Sequence, residues 1–157
     1  MQAREASKEL LTDSLFDNDE NGGQIDAFRH AFWMALLSHH ICWRKALNLG
    51  VAHEKGNYQA FLKEKREEGF LHDSIGGEMD LINNRIGIET GKALKKTPDE
   101  ELKLAVRDSV LTGKMKVIRK NSSGSSLDCK GNVIDTVKYN HQWNIPRCLV
   151  PSDYKRR

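Results

Sequence analysis

Between Gln24 and His40, apolar residues fall on nearly every side of a helical wheel, with Ile25, Phe28, Phe32, Trp33, Leu36 and Leu37 leaving no broad polar face. A helix of that kind is stable in water only when other elements surround it, so the segment predicts a central helix in a multi-helix domain. The few polar residues it carries then hold most of the information. Asp26, Arg29 and His30 fall at i, i+3 and i+4 and share one face. A second apolar stretch, Met79 to Asn84, repeats the arrangement with Asp80, Asn83 and Asn84. Charged and amide groups held inside a core need partners or a ligand, so the place where these two faces meet is the expected site.

A chain of 157 residues, 38% hydrophobic and 30% charged, suits one ordinary globular domain. Its net charge of +3 is small and evenly spread, and only the tail from Asp153 to Arg157 is locally basic, so no nucleic-acid partner is expected. The longest apolar run, Ala31 to Leu37, is too short to span a bilayer. Membrane contact is therefore expected to be peripheral only, with Trp43, Phe61, Phe70 and Leu71 as the residues that could reach a surface, although such residues are more often core. Arg4, Glu5, Lys8 and Glu9 do not read as a signal peptide, so export is expected to use another route.

Periodicity and capping signals predict five helices. The first runs from Arg4 to Phe16 and ends in the polar turn Asp17 to Gly23; the second is the central one. The third runs from Trp43 to Glu54, stopping before Gly56-Asn57, and a charged connector follows from Lys63 to Glu68. The fourth continues to Leu94 behind Ser74 or Asp73 as cap, and its Gly87 and Gly91 permit close helix approach. The fifth reaches Leu111, with Thr97 as cap and Pro98 at the first helical position. Beyond Gly113, Met115 to Ile118 and Asn132 to Ile134 read as the two strands of a hairpin. The expected fold is mainly α: a compact multi-helix unit over 1–113, with a small C-terminal β-hairpin appendage over 114–157 in the same domain. Cys42 reads as a buried thiol, whereas Cys129 and Cys148 could close one disulfide, which would imply an oxidising compartment.

Each polar residue has an ordinary alternative. Asp26 and Arg29 also read as a plain ion pair, Asn83 and Asn84 as amides tying helices together, and His30 as a satisfied core histidine. The case for function rests on their number. His53-Glu54 adds a further polar pair but lacks the second histidine of a His-Glu-x-x-His zinc helix. Histidines, carboxylates, an arginine and two amides suit phosphoester chemistry. Arginine clamps a phosphate, histidine acts as base or nucleophile, and carboxylates orient the histidine or hold a hard divalent cation, calcium or magnesium.

The segments Asp26-Ala27-Phe28-Arg29-His30-Ala31-Phe32-Trp33, Ala52-His53-Glu54 and Met79-Asp80-Leu81-Ile82-Asn83-Asn84-x-x-Gly87 resemble, in order, the motifs of a bacterial toxin-like family. That family is grouped with the prokaryotic Wnt-like members of the Lipocone superfamily, and the third motif is similar to one found in animal Wnt proteins. The resemblance covers about Gln24 to Leu94. It implies a helical fold whose pocket, lined by Asp26, Arg29, His30, His53, Glu54, Asp80, Asn83 and Asn84, takes lipid head groups. Ile82 and Ile88 depart from the pattern, standing where relatives carry histidine and arginine, which shifts the burden to His30 and His53. The segment after Gly113 has no counterpart, so His141 and Trp143 are left unassigned.

The resemblance further implies an antibacterial effector toxin, delivered by a specialised secretion system and acting in the target-cell periplasm or at the outer face of the inner membrane. Its substrate would be a phospholipid or a lipid-linked peptidoglycan precursor, cut as a phosphoester, and a cognate immunity protein is the expected partner. In that reading His30, His53, Asp26, Glu54 and Asp80 are catalytic, Arg29, Asn83 and Asn84 bind substrate, and Glu54 and Asp80 are the candidate cation ligands. A nuclease toxin and a non-enzymatic Wnt-like binding module are the alternatives.

Overall fold

The structure, a computed structural model, describes residues 2–63 and 72–156. The expected connector beyond Lys63 and the pair Phe70-Leu71 lie outside the described residues. Among these residues five α-helices follow one another: α1 (Gln2–Glu9), extended by a 3-10 turn over Leu10–Thr12, α2 (Gln24–His40), α3 (Trp43–Leu62), α4 (Ser74–Ala93) and α5 (Asp99–Leu111). Two three-residue strands, β1 (Lys116–Ile118) and β2 (Leu149–Pro151), make an antiparallel pair. With 55% of the described residues helical, the protein is mainly α.

Helix α2 touches all four other helices and β1, as its all-round apolarity requires. Its heaviest packing is against α4. Two small-residue contacts bring these helices together: a Cβ on Gly87 would lie 2.0 Å from the Ala31 carbonyl oxygen, and one on Gly91 2.3 Å from that of Ala35. Ser38 sits in the same seam, its Oγ 3.2 Å from the carbonyl oxygens of Ala35 and Ile88. The main core gathers Phe28, Phe32, Ala31 and Ala35 of α2 with Leu102, Val106 and Val110 of α5, Leu10 and Phe16 near the start, and Met115 and Val117.

Several boundaries differ from the sequence reading, each for a local reason. The first helix breaks at Thr12 because Asp13 turns into extended backbone. Helix α3 passes through Gly56 and Asn57 to Leu62: a helical glycine costs only about 1 kcal/mol, and the Asn57 Nδ2 donates to Glu54 Oε2 (3.0 Å) within the helix. The cap of α4 is Asp73, whose carboxylate accepts from the N–H groups of Ile75 and Gly76. Pro98 rather than Thr97 occupies the cap position of α5, and the Thr97 hydroxyl donates backward to the Leu94 carbonyl. Cys42 is exposed, not buried, because α2 ends at His40 and the thiol falls in the link before α3.

The C-terminal segment is built differently from a local hairpin. Strand β1 pairs with Leu149–Pro151, and Val133 makes only an isolated bridge to Leu127. A disulfide joins Cys129 to Cys148 at the entrance to β2. The segment is anchored in the helical unit: Ser152 Oγ donates to the Val110 carbonyl, and Gln24 Nε2 donates to the Ser152 carbonyl, both at 2.6 Å. Trp143 packs against Tyr58 and Phe61 of α3, so Phe61 is covered by the protein's own chain. Trp43 lies against the small cluster of Met34, Ala46 and Ile88.

The α2–α4 seam yields a stability prediction. Gly87→Ala forces a methyl into the backbone of Ala31, so it should destabilise by at least about 1–3 kcal/mol in urea unfolding; an unchanged midpoint would show that the helices are not this close.

Candidate active site

The seam sets the polar end of α2 beside the first half of α4, and a cavity of about 320 Å³ opens there. Its wall includes Asp26, Arg29, His30 and Trp33 of α2, His53 and Asn57 of α3, and Asp80 of α4. The turn Glu20-Asn21-Gly22 closes one side, and His72, Asp73 and Arg147 another. Gly22 has φ +78°, and a Cβ there would meet the Ile118 side chain at 2.6 Å, so only glycine lets this turn lie against β1. Ile118 N donates to the Gly22 carbonyl (2.7 Å), while Gly22 N donates to Asp26 Oδ2 (2.7 Å). The other Asp26 oxygen accepts from Arg29 Nη2 at 2.5 Å.

His30 stands between two carboxylates. Its Nε2 is 3.6 Å from Asp26 Oδ1 and 3.6 Å from Asp80 Oδ2, longer than hydrogen bonds yet close enough to exchange a proton after small movements. Burial dominates its titration and pushes the imidazole pKa down to about 4; Asp26 opposes the shift, and Arg29 and His53 add to it. Asp80 moves the other way. Burial raises its pKa well above the usual carboxylate range, and the neighbouring Asp26 and Glu54 charges raise it further, against Arg29. Burial thus favours the uncharged imidazole of His30 and shifts the Asp80 carboxyl group toward its protonated form. Environments that drive two titratable groups apart in this way assign a base and an acid.

The other expected residues divide. His53 reaches the cavity from the interior of α3, its ring 5.8 Å from His30 and 5.5 Å from Trp33. Glu54 does not line the cavity: its Oε2 accepts from Asn57 and lies near the first turn of α4. Asn83 and Asn84 do not line it either. Both amide groups of Asn83 are committed to the backbone of Lys116, accepting from its N–H and donating to its C=O at 2.9 Å each, so the side chain clamps β1 to α4. Asn84 is buried beside Gly50 and Met34. Lining residues that escaped the sequence reading include Arg4, Asn57, His72, Asp73 and Arg147, the last joined to Asp73 Oδ2 at 2.7 Å. Arg147 is delivered by the segment tied down at Cys148, and nothing local in sequence marks it.

A divalent cation fits Asp26, His30 and Asp80, whose ligand atoms lie within 4.8 Å of one another; of the expected pair Glu54 and Asp80, Asp80 belongs to this group. Asp80 Oδ1 is buried with no hydrogen-bond partner among the described residues, as a ligand atom awaiting an ion would be. An ion held there would take the place of the Asp80 proton and would itself polarise a phosphate oxygen, so the ion-bound site would not use Asp80 as an acid.

Fold and site together define a small helical protein with a buried histidine–carboxylate centre at the floor of a cavity rich in arginine and histidine. A family described as a domain of unknown function, DUF6973, matches residues 1–114, and the chain belongs to it. The match ends at Lys114, so β1, the disulfide and Arg147 lie beyond it. No curated protein and no solved structure matches the chain.

Two measurements test the site. Asn83→Ala should cost about 1–3 kcal/mol, because it strands the Lys116 backbone groups, and activity should fall only as far as folding does. His30 should make stability pH-dependent. At pH 5 the unfolded chain binds a proton on this imidazole and the folded one does not, so the group's contribution is full above pH 6.5 and is lost as pH falls toward 4. Unfolding midpoints should thus fall more steeply between pH 7 and 4 in the wild type than in His30→Ala, by up to about 3 kcal/mol; parallel curves would contradict the buried neutral histidine.

Proposed function

We propose that the protein is a phosphoester hydrolase acting on the phosphate-linked head group of a membrane lipid or a lipid-linked peptidoglycan precursor, deployed as an antibacterial effector. The observation that carries the reading is the opposite displacement of His30 and Asp80, 3.6 Å apart on the wall of one cavity that also holds Arg29 and Arg147. Neutral His30 takes a proton from an attacking water as its oxygen bonds to phosphorus. The bond from phosphorus to the leaving oxygen breaks, and Asp80 supplies the proton that the leaving alcohol needs. The imidazolium then returns its proton to Asp80, restoring both groups.

Among the described residues Arg29 pairs with Asp26 and Arg147 with Asp73, each through one terminal nitrogen, which leaves their other terminal N–H groups for phosphate oxygens. Asp26 holds Arg29 and sits against His30, so it positions both. The Cys129–Cys148 bridge suits work in an oxidising compartment such as the periplasm, and the resemblance to delivered toxins supplies the substrate class and the immunity protein as partner. Contact with the membrane is peripheral in this reading, since no described helix is long and apolar enough to cross one.

The test is mass spectrometry of lipids from cells expressing the wild type or His30→Ala in the periplasm. The proposal expects one phospholipid or polyprenyl-linked class to be cleaved by the wild type and spared by the variant. Dying cells with unchanged lipids would overturn it and favour a nuclease or a binding protein. Asp80→Asn should likewise abolish cleavage while folding normally, and at neutral pH it should be no less stable, because it removes a carboxyl group whose charged form burial penalises.

A further inference from the structure

The far end of α2 carries a second cluster unconnected with the cavity. His39 and His40 close the last turn of α2, and Asp99 opens α5. Thirteen residues separate Asp26 from His39, roughly 20 Å along a helix. His39 Nδ1 lies 3.2 Å from Asp99 Oδ1, and His40 Nε2 lies 3.0 Å from the same oxygen and 3.3 Å from Oδ2. One ligand atom from each residue falls within 4.8 Å of the others.

We propose that His39, His40 and Asp99 form a binding site for a borderline divalent transition-metal ion, zinc above all, which ties the end of α2 to the start of α5. Two donor atoms bound tetrahedrally at 2.0–2.1 Å to one zinc ion stand roughly 3.3 Å apart, and the two nitrogen–oxygen separations are close to that value. The state of His39 is an independent pointer. Its side chain is only 7% exposed, and neither ring nitrogen has a hydrogen-bond partner among the described residues. Although Nδ1 is near Asp99, it is out of hydrogen-bond geometry, so the carboxylate does not account for this nitrogen, whereas a metal ion accepting its lone pair does.

The donor set decides the ion. Two imidazoles and one carboxylate select zinc and its neighbours over calcium or magnesium, which prefer all-oxygen shells. The negative end of the α2 dipole favours a cation at the same place. With three protein ligands the fourth position is left to water, and His40, 58% exposed, gives the ion access from solvent. Because the ligands are 59 residues apart in sequence, the unfolded chain does not hold them together, and the ion stabilises the folded state.

The experiment is thermal unfolding of the full chain, stripped with chelator and then titrated with Zn2+, alongside Co2+ absorption as a report on coordination. At a hundredfold excess over the dissociation constant, Zn2+ should raise Tm by roughly 5–10 °C, and Co2+ should give one equivalent of tetrahedral-type absorption. His40→Ala removes an exposed ligand without entering the core and should abolish both effects, as should Asp99→Asn. Asp80→Asn, which dismantles the three-atom cluster of the cavity, should retain both. A wild-type Tm indifferent to Zn2+, or a shift that survives in His40→Ala but vanishes in Asp80→Asn, would overturn the proposal.

Discussion

The contact between α2 and α4 is what the rest of the structure depends on. Gly87 and Gly91 let α4 settle directly on the backbone of Ala31 and Ala35, and no larger side chain fits at either position without moving a helix. At that separation the polar residues at the other end of the seam are brought together in a buried space. His30 and Asp80 meet because the helices do, and both lose water because α3, the Gly22 turn and the Arg147 segment enclose them. The cavity is thus a product of packing geometry, and its chemistry follows from desolvation.

Desolvation acts on the two groups in opposite senses because it penalises whichever form is charged. The imidazole is kept neutral and the carboxyl group is pushed toward its protonated form, while Asp26 is supported by the Gly22 N–H and the Arg29 guanidinium. An arrangement of this kind costs stability that the hydrophobic core must offset, and such costs are ordinary at sites that do chemistry. The same logic separates Asn83 from the site. Both of its amide groups are satisfied by the backbone of Lys116, so its burial is fully explained by structure.

Much of this was legible in the sequence, for physical reasons that also mark the limits. The all-round apolarity of Gln24 to His40 announced the central helix, and polar residues at i, i+3 and i+4 within it announced the site. Gly87 and Gly91 signalled close approach by their spacing. Local patterns failed where tertiary contacts decide the outcome. Gly56-Asn57 looked like a stop, but α3 tolerates one glycine and turns the asparagine inward. The strand that pairs with β1 lies 30 residues beyond it, too far for a hairpin pattern to reveal, and Arg147 reaches the cavity only because β2 and the disulfide position its neighbour. The roles of Asn83 and Glu54 depended on which way each side chain turns, which helical spacing alone does not determine.

The central claim is that burial drives the titrations of one neighbouring pair in opposite directions, and it is tested most directly by NMR titration of the folded protein, following the His30 ring and the Asp80 carboxyl group. The account predicts that His30 stays neutral until the pH nears 4 and that Asp80 is still protonated well above the usual carboxylate range. A His30 titrating near 6.5 together with an Asp80 titrating near 3.8 would contradict it, and the assignment of base and acid would fall with it.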